Sequence, residues 1–219
     1  MRNKKILRLT QCALIAALAY IVFMYLRIDI PVGTERTSFH LGNALVVIGA
    51  LLLGGGWGGV AGALGLTIAD LTSGYVTSAP KTFILKLVIG LIVGLVSRKI
   101  FKIEEDKTVK GQTKIALISS IAALGFNVVL DPLFGYFYKA YLFGIPQDMA
   151  ATLSKIGSAT TLVNAALSTV VVVIIWPALY SALSKSGLLV WKKAEKTETT
   201  EKIEKPEEKT EEKTETPIA

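Results

Sequence analysis

The chain alternates between six apolar segments and shorter polar stretches. A run of about 20 apolar residues is long enough to cross the hydrocarbon core of a bilayer as a helix. The pattern therefore predicts an all-α integral membrane protein, a bundle of six transmembrane helices. The predicted helices cover residues 6–26, 41–53, 58–71, 81–100, 115–137 and 158–183.

Segments 41–53 and 58–71 are shorter than the others. As helices they would span only about 20 Å, whereas the hydrocarbon core is roughly 30 Å thick. The glycine-rich stretch 54–59 predicts a tight reversal between them. Such a pair would also suit one buried hairpin of a soluble protein. Because the remaining segments are longer, we expect short or tilted membrane helices that pack inside the bundle.

Polar residues and helix breakers separate the segments. Stretches 27–40, 74–80 and 138–157 are predicted loops, since they combine charges with proline or glycine. We also expect an interruption of the fifth segment at Pro132, because proline lacks the backbone N–H and tends to end or kink a helix.

Charge is distributed unevenly between the two sides of the predicted bundle. Of the 24 Lys and Arg residues, 18 lie in residues 2–8, residues 98–114 and the region from Lys185 onward, and the other 6 lie in or near the opposite loops. Basic residues are retained on the cytoplasmic side of a membrane, so both termini are predicted to be cytoplasmic in a multi-pass protein of the cell membrane. This topology explains the net charge of +7 without a nucleic-acid partner.

The residue inventory excludes several kinds of site. Cys12 is the only cysteine and His40 the only histidine, so neither a disulfide within the chain nor a thiol or HExxH metal site is expected. No cofactor is expected either. The basic and then apolar N-terminus resembles a signal peptide, but its apolar run has the length of a full span and no clear small-residue cleavage site follows it. We therefore expect it to be retained.

Residues 191–219 consist mainly of Glu, Lys and Thr. Such a segment cannot bury enough apolar surface to fold alone. The predicted organisation is a membrane domain over residues 1–190 and a disordered cytoplasmic tail over residues 191–219.

Polar groups in or beside the apolar segments are the candidate substrate-binding residues, because a charge kept in or near hydrocarbon is costly. These candidates are His40, Asn43, Asp70, Lys81, Lys86, Asn127, Asp131 and Asn164.

Each candidate also has a structural interpretation. Lys86 either pairs with Asp70 or Asp131 to hold the bundle together, or donates to a ligand heteroatom. Asn127 and Asp131 share one helix face, and an amide there suits either a helix–helix hydrogen bond or the edge of a heterocycle. His40 is either a loop residue exposed to water or a ligand contact.

Small residues recur four positions apart in three segments: Ala13 and Ala17, Gly58 and Gly62, and Gly90 and Gly94. Small residues let helix backbones approach closely, which promotes helix association in membranes. The spacing suits either packing inside the bundle or docking to another membrane subunit.

Five motifs together resemble the substrate-binding S components of energy-coupling factor (ECF) transporters, the vitamin importers of prokaryotes. They are CALIAALA at residues 12–19, SFHLGN at 38–43, LGGGWGGVAG at 53–62, TIADLT at 67–72 and SAPKT at 78–82. The resemblance covers roughly residues 5–185 and leaves the tail outside.

The resemblance implies a six-helix subunit that binds a small water-soluble vitamin or precursor near the extracellular face and hydrolyses no nucleotide itself. It implies two kinds of protein partner, a membrane scaffold subunit and two cytoplasmic ATPases. In the family an Ala-x-x-x-Ala surface on the first helix contacts the scaffold, and Ala13 and Ala17 match that motif. Ala16 and Ala19 would extend the surface.

A non-enzymatic transporter subunit is thus the predicted function. The alternatives are a stand-alone carrier or channel and a membrane-embedded enzyme, although the chain lacks an obvious selectivity filter, an evident inverted repeat and a Gly-x-Ser-x-Gly motif. Among ligands, the Lys and Asp inventory favours a small polar ring such as a vitamin B6 form or hydroxymethylpyrimidine, and then riboflavin.

Overall fold

The computed structural model describes residues 3–32 and 35–191 and is almost entirely helical. Six α-helices and one small β-hairpin follow each other in the order α1, β1, β2, α2, α3, α4, α5 and α6. Their bounds are α1 Lys4–Tyr25, β1 Ile28–Val32, β2 Glu35–Phe39, α2 Gly42–Leu53, α3 Gly55–Thr72, α4 Ala79–Gly94, α5 Val109–Phe137 and α6 Gln147–Lys185. Short 3-10 or π-helical segments adjoin α4 and α5: Val76–Ser78, Leu95–Ile100 and Tyr138–Leu142.

Successive helices run in opposite directions and give the bundle two distinct ends. The hairpin end contains the β1–β2 hairpin and the connections α3–α4 and α5–α6. The termini end contains the start of α1, the α2–α3 turn, residues 101–108 and the residues after α6. Each connection between consecutive helices therefore lies at one end or the other.

Four helical segments are long and apolar enough to cross a membrane: Lys4–Tyr25, Val76–Ile100, Val109–Leu142 and Gln147–Lys185. Helix α2 has only 12 residues, and every residue of it except Leu45 is buried. The expectation that this segment packs inside the bundle is therefore confirmed, whereas six full membrane spans remain a prediction.

Glycines permit the close packing of α3 against its neighbours. Gly54, with φ of +93°, makes the turn between α2 and α3. A Cβ at Gly62 would lie 2.9 Å from the Cα of Val46, and one at Gly59 would lie 3.2 Å from the Cα of Gly90. The small residues of α3 and α4 thus serve internal packing, as one of the two interpretations predicted.

Several predicted boundaries differ from the structure. Pro132 lies inside α5 and does not end it, and this helix ends at Phe137, as predicted. Helix α6 begins at Gln147, within the predicted loop 138–157, and α3 begins at Gly55, within the predicted reversal. The polar loop 27–40 contains the antiparallel hairpin, in which Ile28 pairs with Phe39 and Ile30 with Thr37. The fold is therefore helical, as predicted, with the addition of one small β-hairpin.

Residues after α6 turn back along the termini end. The side-chain amide of Gln11 donates to the Leu188 carbonyl at 2.9 Å, and Leu189 and Val190 are buried in the core. Trp191 is the last described residue. The predicted disordered tail otherwise lies outside the described residues, so its state and the division at residue 190 stay predictions.

Candidate substrate-binding site

A cavity opens at the hairpin end between the hairpin and helices α2 to α6. Phe23, Leu66 and Leu85 supply apolar surface, whereas most of the remaining lining is polar. Of the eight candidate substrate-binding residues, seven line this cavity: His40, Asn43, Asp70, Lys81, Lys86, Asp131 and Asn164.

Asn127 is the candidate that does not line the cavity. Its side chain is buried and lies one helical turn before Asp131 on α5. The carboxamide oxygen has no hydrogen-bond partner among the described residues. Asn127 therefore belongs to the packed interior below the cavity, and its assignment as a substrate-binding candidate is not supported.

The Asn164 side chain fastens the hairpin to α6. Its oxygen accepts from the backbone N–H of His40 at 3.0 Å, and its NH₂ group donates to the Ser38 carbonyl at 2.9 Å. Both polar groups of this carboxamide are thus occupied by protein backbone. Asn164 lines the cavity and also holds the segment that covers it.

A second set of contacts joins the hairpin to the α3–α4 connection. The Tyr75 hydroxyl donates to Asp29 at 2.9 Å, and the Arg27 guanidinium pairs with the same carboxylate at 3.0 Å. Burial and this hydrogen bond raise the pKa of Tyr75 to about 12, so the phenol stays protonated at neutral pH. Arg36 donates to the Gly74 carbonyl at 3.4 Å, which closes the same side.

His40 is held in one orientation at the rim of the cavity. Its Nδ1 accepts from the backbone N–H of Gly42 at 3.1 Å, and its ring meets Phe23 edge-to-face with centroids 4.9 Å apart. Burial lowers the pKa of the imidazole to about 3, and the positive charge of Lys86 acts in the same direction. His40 is therefore a neutral, packed residue and not a loop residue exposed to water.

The two carboxylates of the cavity are engaged by neighbouring helices. Asp131 pairs with the Lys81 ammonium at 2.9 Å and accepts from the Thr161 hydroxyl. Asp70 accepts a hydrogen bond from Thr82. The ion pair between Lys86 and one of these carboxylates, one of the two interpretations of Lys86, is not observed, and Lys81 lies beside Asp131 instead.

Three polar groups that face the cavity remain without a partner. Within residues 3–32 and 35–191, the Lys86 ammonium makes neither a hydrogen bond nor a salt bridge, and the Asn43 oxygen and the Ser154 hydroxyl have no hydrogen-bond partner. A buried polar group left unpaired costs about 1–3 kcal/mol. A cation, an acceptor and a hydroxyl in one cavity can together recognise a ligand that carries both donors and acceptors.

Sequence reasoning missed Thr82, Ser154 and Thr161 as cavity residues. Helical spacing could have indicated two of them, because residues three or four positions apart share one helix face. Thr82 precedes Lys86 by four positions, and Thr161 precedes Asn164 by three. Ser154 was assigned to a loop, so its face on α6 became apparent only when the true start of that helix was known.

Helix α1 presents a second candidate surface. Ala13 and Ala17 are exposed together with Leu14 and Leu18, which are 57% and 38% exposed. Ala19 is buried, so it does not extend this exposed face. Ala16 faces α3, where a Cβ at Gly65 would lie 3.0 Å from the Ala16 Cα.

Comparison with known proteins identifies the family. Residues 3–181 match the family described as ECF-type riboflavin transporter, S component. No curated protein and no solved structure matches the chain. The match covers all six helices except the last residues of α6, and it is a family of transporter subunits and not of enzymes. With its long apolar helices, the chain is a multi-pass membrane protein that belongs to the S components of ECF-type riboflavin transporters.

Proposed function

We propose that this S component binds riboflavin in the cavity of the hairpin end and delivers it to an ECF transporter. The observation that carries the proposal is that Asn43, Ser154 and Lys86 line the cavity of a chain of this family without a hydrogen-bond or salt-bridge partner among the described residues. A flavin presents carbonyl oxygens and one N–H along its pyrimidine edge, an apolar edge on the opposite side and hydroxyls along its ribityl chain.

Each unpaired group suits one part of that ligand. The Lys86 ammonium is a donor for a ring carbonyl, and the Asn43 oxygen is an acceptor for the ring N–H. The Ser154 hydroxyl serves as donor or acceptor for the ribityl chain. Phe23 and Leu85 supply apolar surface for the opposite edge of the ring. The carboxylates of Asp70 and Asp131 already accept hydrogen bonds within the protein and chiefly shape the cavity.

The Lys and Asp residues of the sequence by themselves favoured a ligand with a ring smaller than that of riboflavin, such as a vitamin B6 form or hydroxymethylpyrimidine. The family match turns our preference to riboflavin. Direct competition decides between them: the purified chain is titrated with riboflavin, and flavin fluorescence is followed while pyridoxine or hydroxymethylpyrimidine is added in excess. Tight binding of riboflavin without displacement supports the proposal, and preferential binding of the smaller rings overturns it.

A pair of asparagines offers a matched test of the site. Asn43 and Asn127 are both buried and each has an unpartnered oxygen, but only Asn43 lines the cavity. Asn43→Ala should weaken riboflavin binding about tenfold to a hundredfold, the value of one buried hydrogen bond. Asn127→Ala should leave the affinity unchanged. Equal effects of the two substitutions on affinity would place the ligand elsewhere.

We further propose that Ala13 and Ala17 form the surface that docks to the scaffold subunit. Replacing both with Trp should prevent close approach of the helix backbones, so riboflavin uptake should fall while binding by the isolated subunit survives. Leu64→Trp on the exposed face of α3 is the control and should retain uptake. Uptake without the scaffold and ATPases would instead indicate a stand-alone carrier.

The proposal places the hairpin end outside the cell and both termini inside, as the basic residues predict. In a Cys12→Ala background, Lys107→Cys at the termini end should react with an impermeant thiol reagent only after cells are opened. Met149→Cys at the hairpin end, which is 53% exposed, should react in intact cells. The reverse pattern would overturn this orientation.

A further inference from the structure

At the termini end, the Arg8 guanidinium has no anionic partner within the described residues. Arg8 is half-buried on the second turn of α1, and its Nε atom is shielded from solvent but makes no hydrogen bond. No described carboxylate forms a salt bridge with it. A guanidinium has five N–H donors and stays charged at any physiological pH, so Arg8 can serve an anion from outside the chain.

Arg8 is placed against the start of α3. Its guanidinium carbon lies 5.9 Å from the centroid of the Trp57 ring, within the range of a cation–π contact. One turn further along α1, the Cys12 Sγ lies 3.9 Å from the Trp57 carbonyl oxygen, so the two helices are close together at this point. Arg8 and Trp57 therefore form one small platform, here called the Arg8–Trp57 corner.

The corner lies where the apolar surface of α3 meets the polar end of the bundle. Trp57 is 49% exposed, and Val60 and Leu64, which share its helix face, are 37% and 45% exposed. In a multi-pass membrane protein, such an exposed apolar face lies against lipid acyl chains, and a tryptophan at its end lies at the level of the lipid headgroups. Arg8 therefore lies at the depth of the lipid phosphates.

The neighbouring arginine does not supply the missing negative charge. A Cβ at Gly54 would lie 3.4 Å from the Arg98 guanidinium carbon, so Arg98 borders the same α2–α3 turn. Arg98 already donates to the carbonyls that end α2 and pairs with Glu104. Two arginines near this turn thus share one carboxylate, and that carboxylate is engaged by Arg98. The local excess of positive charge attracts an anion.

We infer that the Arg8–Trp57 corner binds the headgroup phosphate of an anionic phospholipid, whose acyl chains lie along the exposed face of α3. The planar guanidinium matches phosphate oxygens through paired N–H donors. Trp57 supports the guanidinium and supplies apolar contact next to the headgroup. This inference depends on the position of the chain in a membrane and not on the identity of the ligand in the cavity.

The test compares two lipids with the same acyl chains, phosphatidylglycerol, which is anionic, and phosphatidylcholine, which is zwitterionic. Each lipid is titrated into the purified full-length chain in detergent, and native mass spectrometry measures the bound fraction. Phosphatidylglycerol should bind more tightly, and its affinity should fall as the ammonium acetate concentration rises. In Arg8→Gln its affinity should fall about tenfold, to the level of phosphatidylcholine, whose own affinity should not change.

Lys110→Gln is the matched control, because Lys110 is an exposed cation at the same end of the bundle. It should leave the affinity for phosphatidylglycerol unchanged. Trp57→Leu keeps Arg8 and removes the ring beneath it, so it should weaken phosphatidylglycerol binding about twofold to fivefold. Thermal denaturation without added lipid checks that each variant is folded.

Three results would overturn the inference. The first is equal affinity of the unmodified chain for the two lipids. The second is an equal loss of phosphatidylglycerol affinity in Arg8→Gln and Lys110→Gln, which would indicate a diffuse charge effect. The third is unchanged lipid binding by Arg8→Gln together with weaker assembly with the scaffold subunit, which would show that a protein occupies the corner.

Discussion

A cation of the termini end and a cation of the cavity differ in their partners: Arg98 is bound within the protein, whereas Lys86 has no hydrogen bond or salt bridge among the described residues. At the termini end, Arg98 donates to the carbonyls of Leu51 and Leu52, which end α2, and pairs with Glu104. Its guanidinium also lies 5.0 Å from the centroid of the Trp191 ring. One cation thus joins α2, the π-helical segment Leu95–Ile100, the following loop and the segment after α6.

Lys86 lies nearer the middle of the same helical segment, lines the cavity, and makes no hydrogen bond or salt bridge within the described residues. The side chain of Asn43 likewise makes no hydrogen bond to any residue of the described ranges. Unpaired polar atoms also occur in the packed interior, Asn127 among them, so lack of a partner does not by itself identify a ligand contact. The comparison teaches that a ligand contact needs two properties together, a polar group without a protein partner and a position in the lining of the cavity.

The largest expected effect concerns the termini end. Arg98→Ala leaves the last carbonyls of α2 and the Glu104 carboxylate without their donor, so it should lower the free energy of unfolding by about 2–3 kcal/mol. Thermal denaturation in detergent measures the loss. Riboflavin affinity should remain unchanged, because Arg98 lies at the opposite end of the bundle. A variant that binds riboflavin poorly at temperatures where it is still folded would contradict the separation of the two ends.

Asn164 should show an intermediate effect, since it fastens the hairpin and lines the cavity. Asn164→Ala removes two hydrogen bonds to the hairpin, so riboflavin should dissociate faster and bind about tenfold more weakly, equivalent to roughly 1.4 kcal/mol. Stopped-flow fluorescence gives the dissociation rate. Thr169→Ala, whose hydroxyl bonds only within α6, is the control. An unchanged dissociation rate would mean that the hairpin does not need this attachment.

His40 should make stability depend on pH. The unfolded imidazole has a pKa near 6.5, whereas the folded one has a pKa of about 3. Below pH 6.5 the unfolded chain therefore binds a proton that the folded chain does not, and stability falls as the pH falls. Between pH 7.5 and 5.5 the loss from this group should be about 1 kcal/mol. In His40→Asn this component should disappear, and identical pH profiles of the two proteins would refute the assignment.

The smallest effect is expected for the C-terminal tail. Removing residues 194–219 should leave riboflavin binding and transport largely intact, because the segment is polar and low in complexity. Uptake by cells that express the truncated chain measures this directly. A large loss of assembly with the ATPases would show instead that the tail recruits a partner.

The sequence was sufficient to predict the helices because apolar length is a strong signal in membrane proteins. The prediction of helix boundaries from the sequence was less accurate where polar residues form part of a helix. Residues 147–157 read as a loop, yet they form the first turns of α6 and bring Ser154 to the cavity. The stretch 27–40 also read as a loop, because a hairpin of ten residues with several charges has little hydrophobic periodicity.

The sequence predicted which residues line the candidate site, but it did not predict which of them pair with one another. Polar residues in apolar segments pointed to seven cavity residues, since each is costly in hydrocarbon. Which cation pairs with Asp131 depends on how α4 and α5 are placed against each other, and this placement favours Lys81 over Lys86. Likewise, only the packing of α5 shows that Asn127 lies below the cavity.

The most direct test of the central claim is the substitution Lys86→Met, studied by riboflavin titration and thermal denaturation of the same preparation. Methionine keeps much of the volume and removes a half-buried charge that has no ion pair among the described residues, so the midpoint of unfolding should stay constant or rise. Riboflavin affinity should fall about tenfold to a hundredfold through the loss of a charge-assisted hydrogen bond. A fall in stability with unchanged affinity would show that Lys86 supports the fold, and would contradict the role of Lys86 as a ligand contact in the cavity.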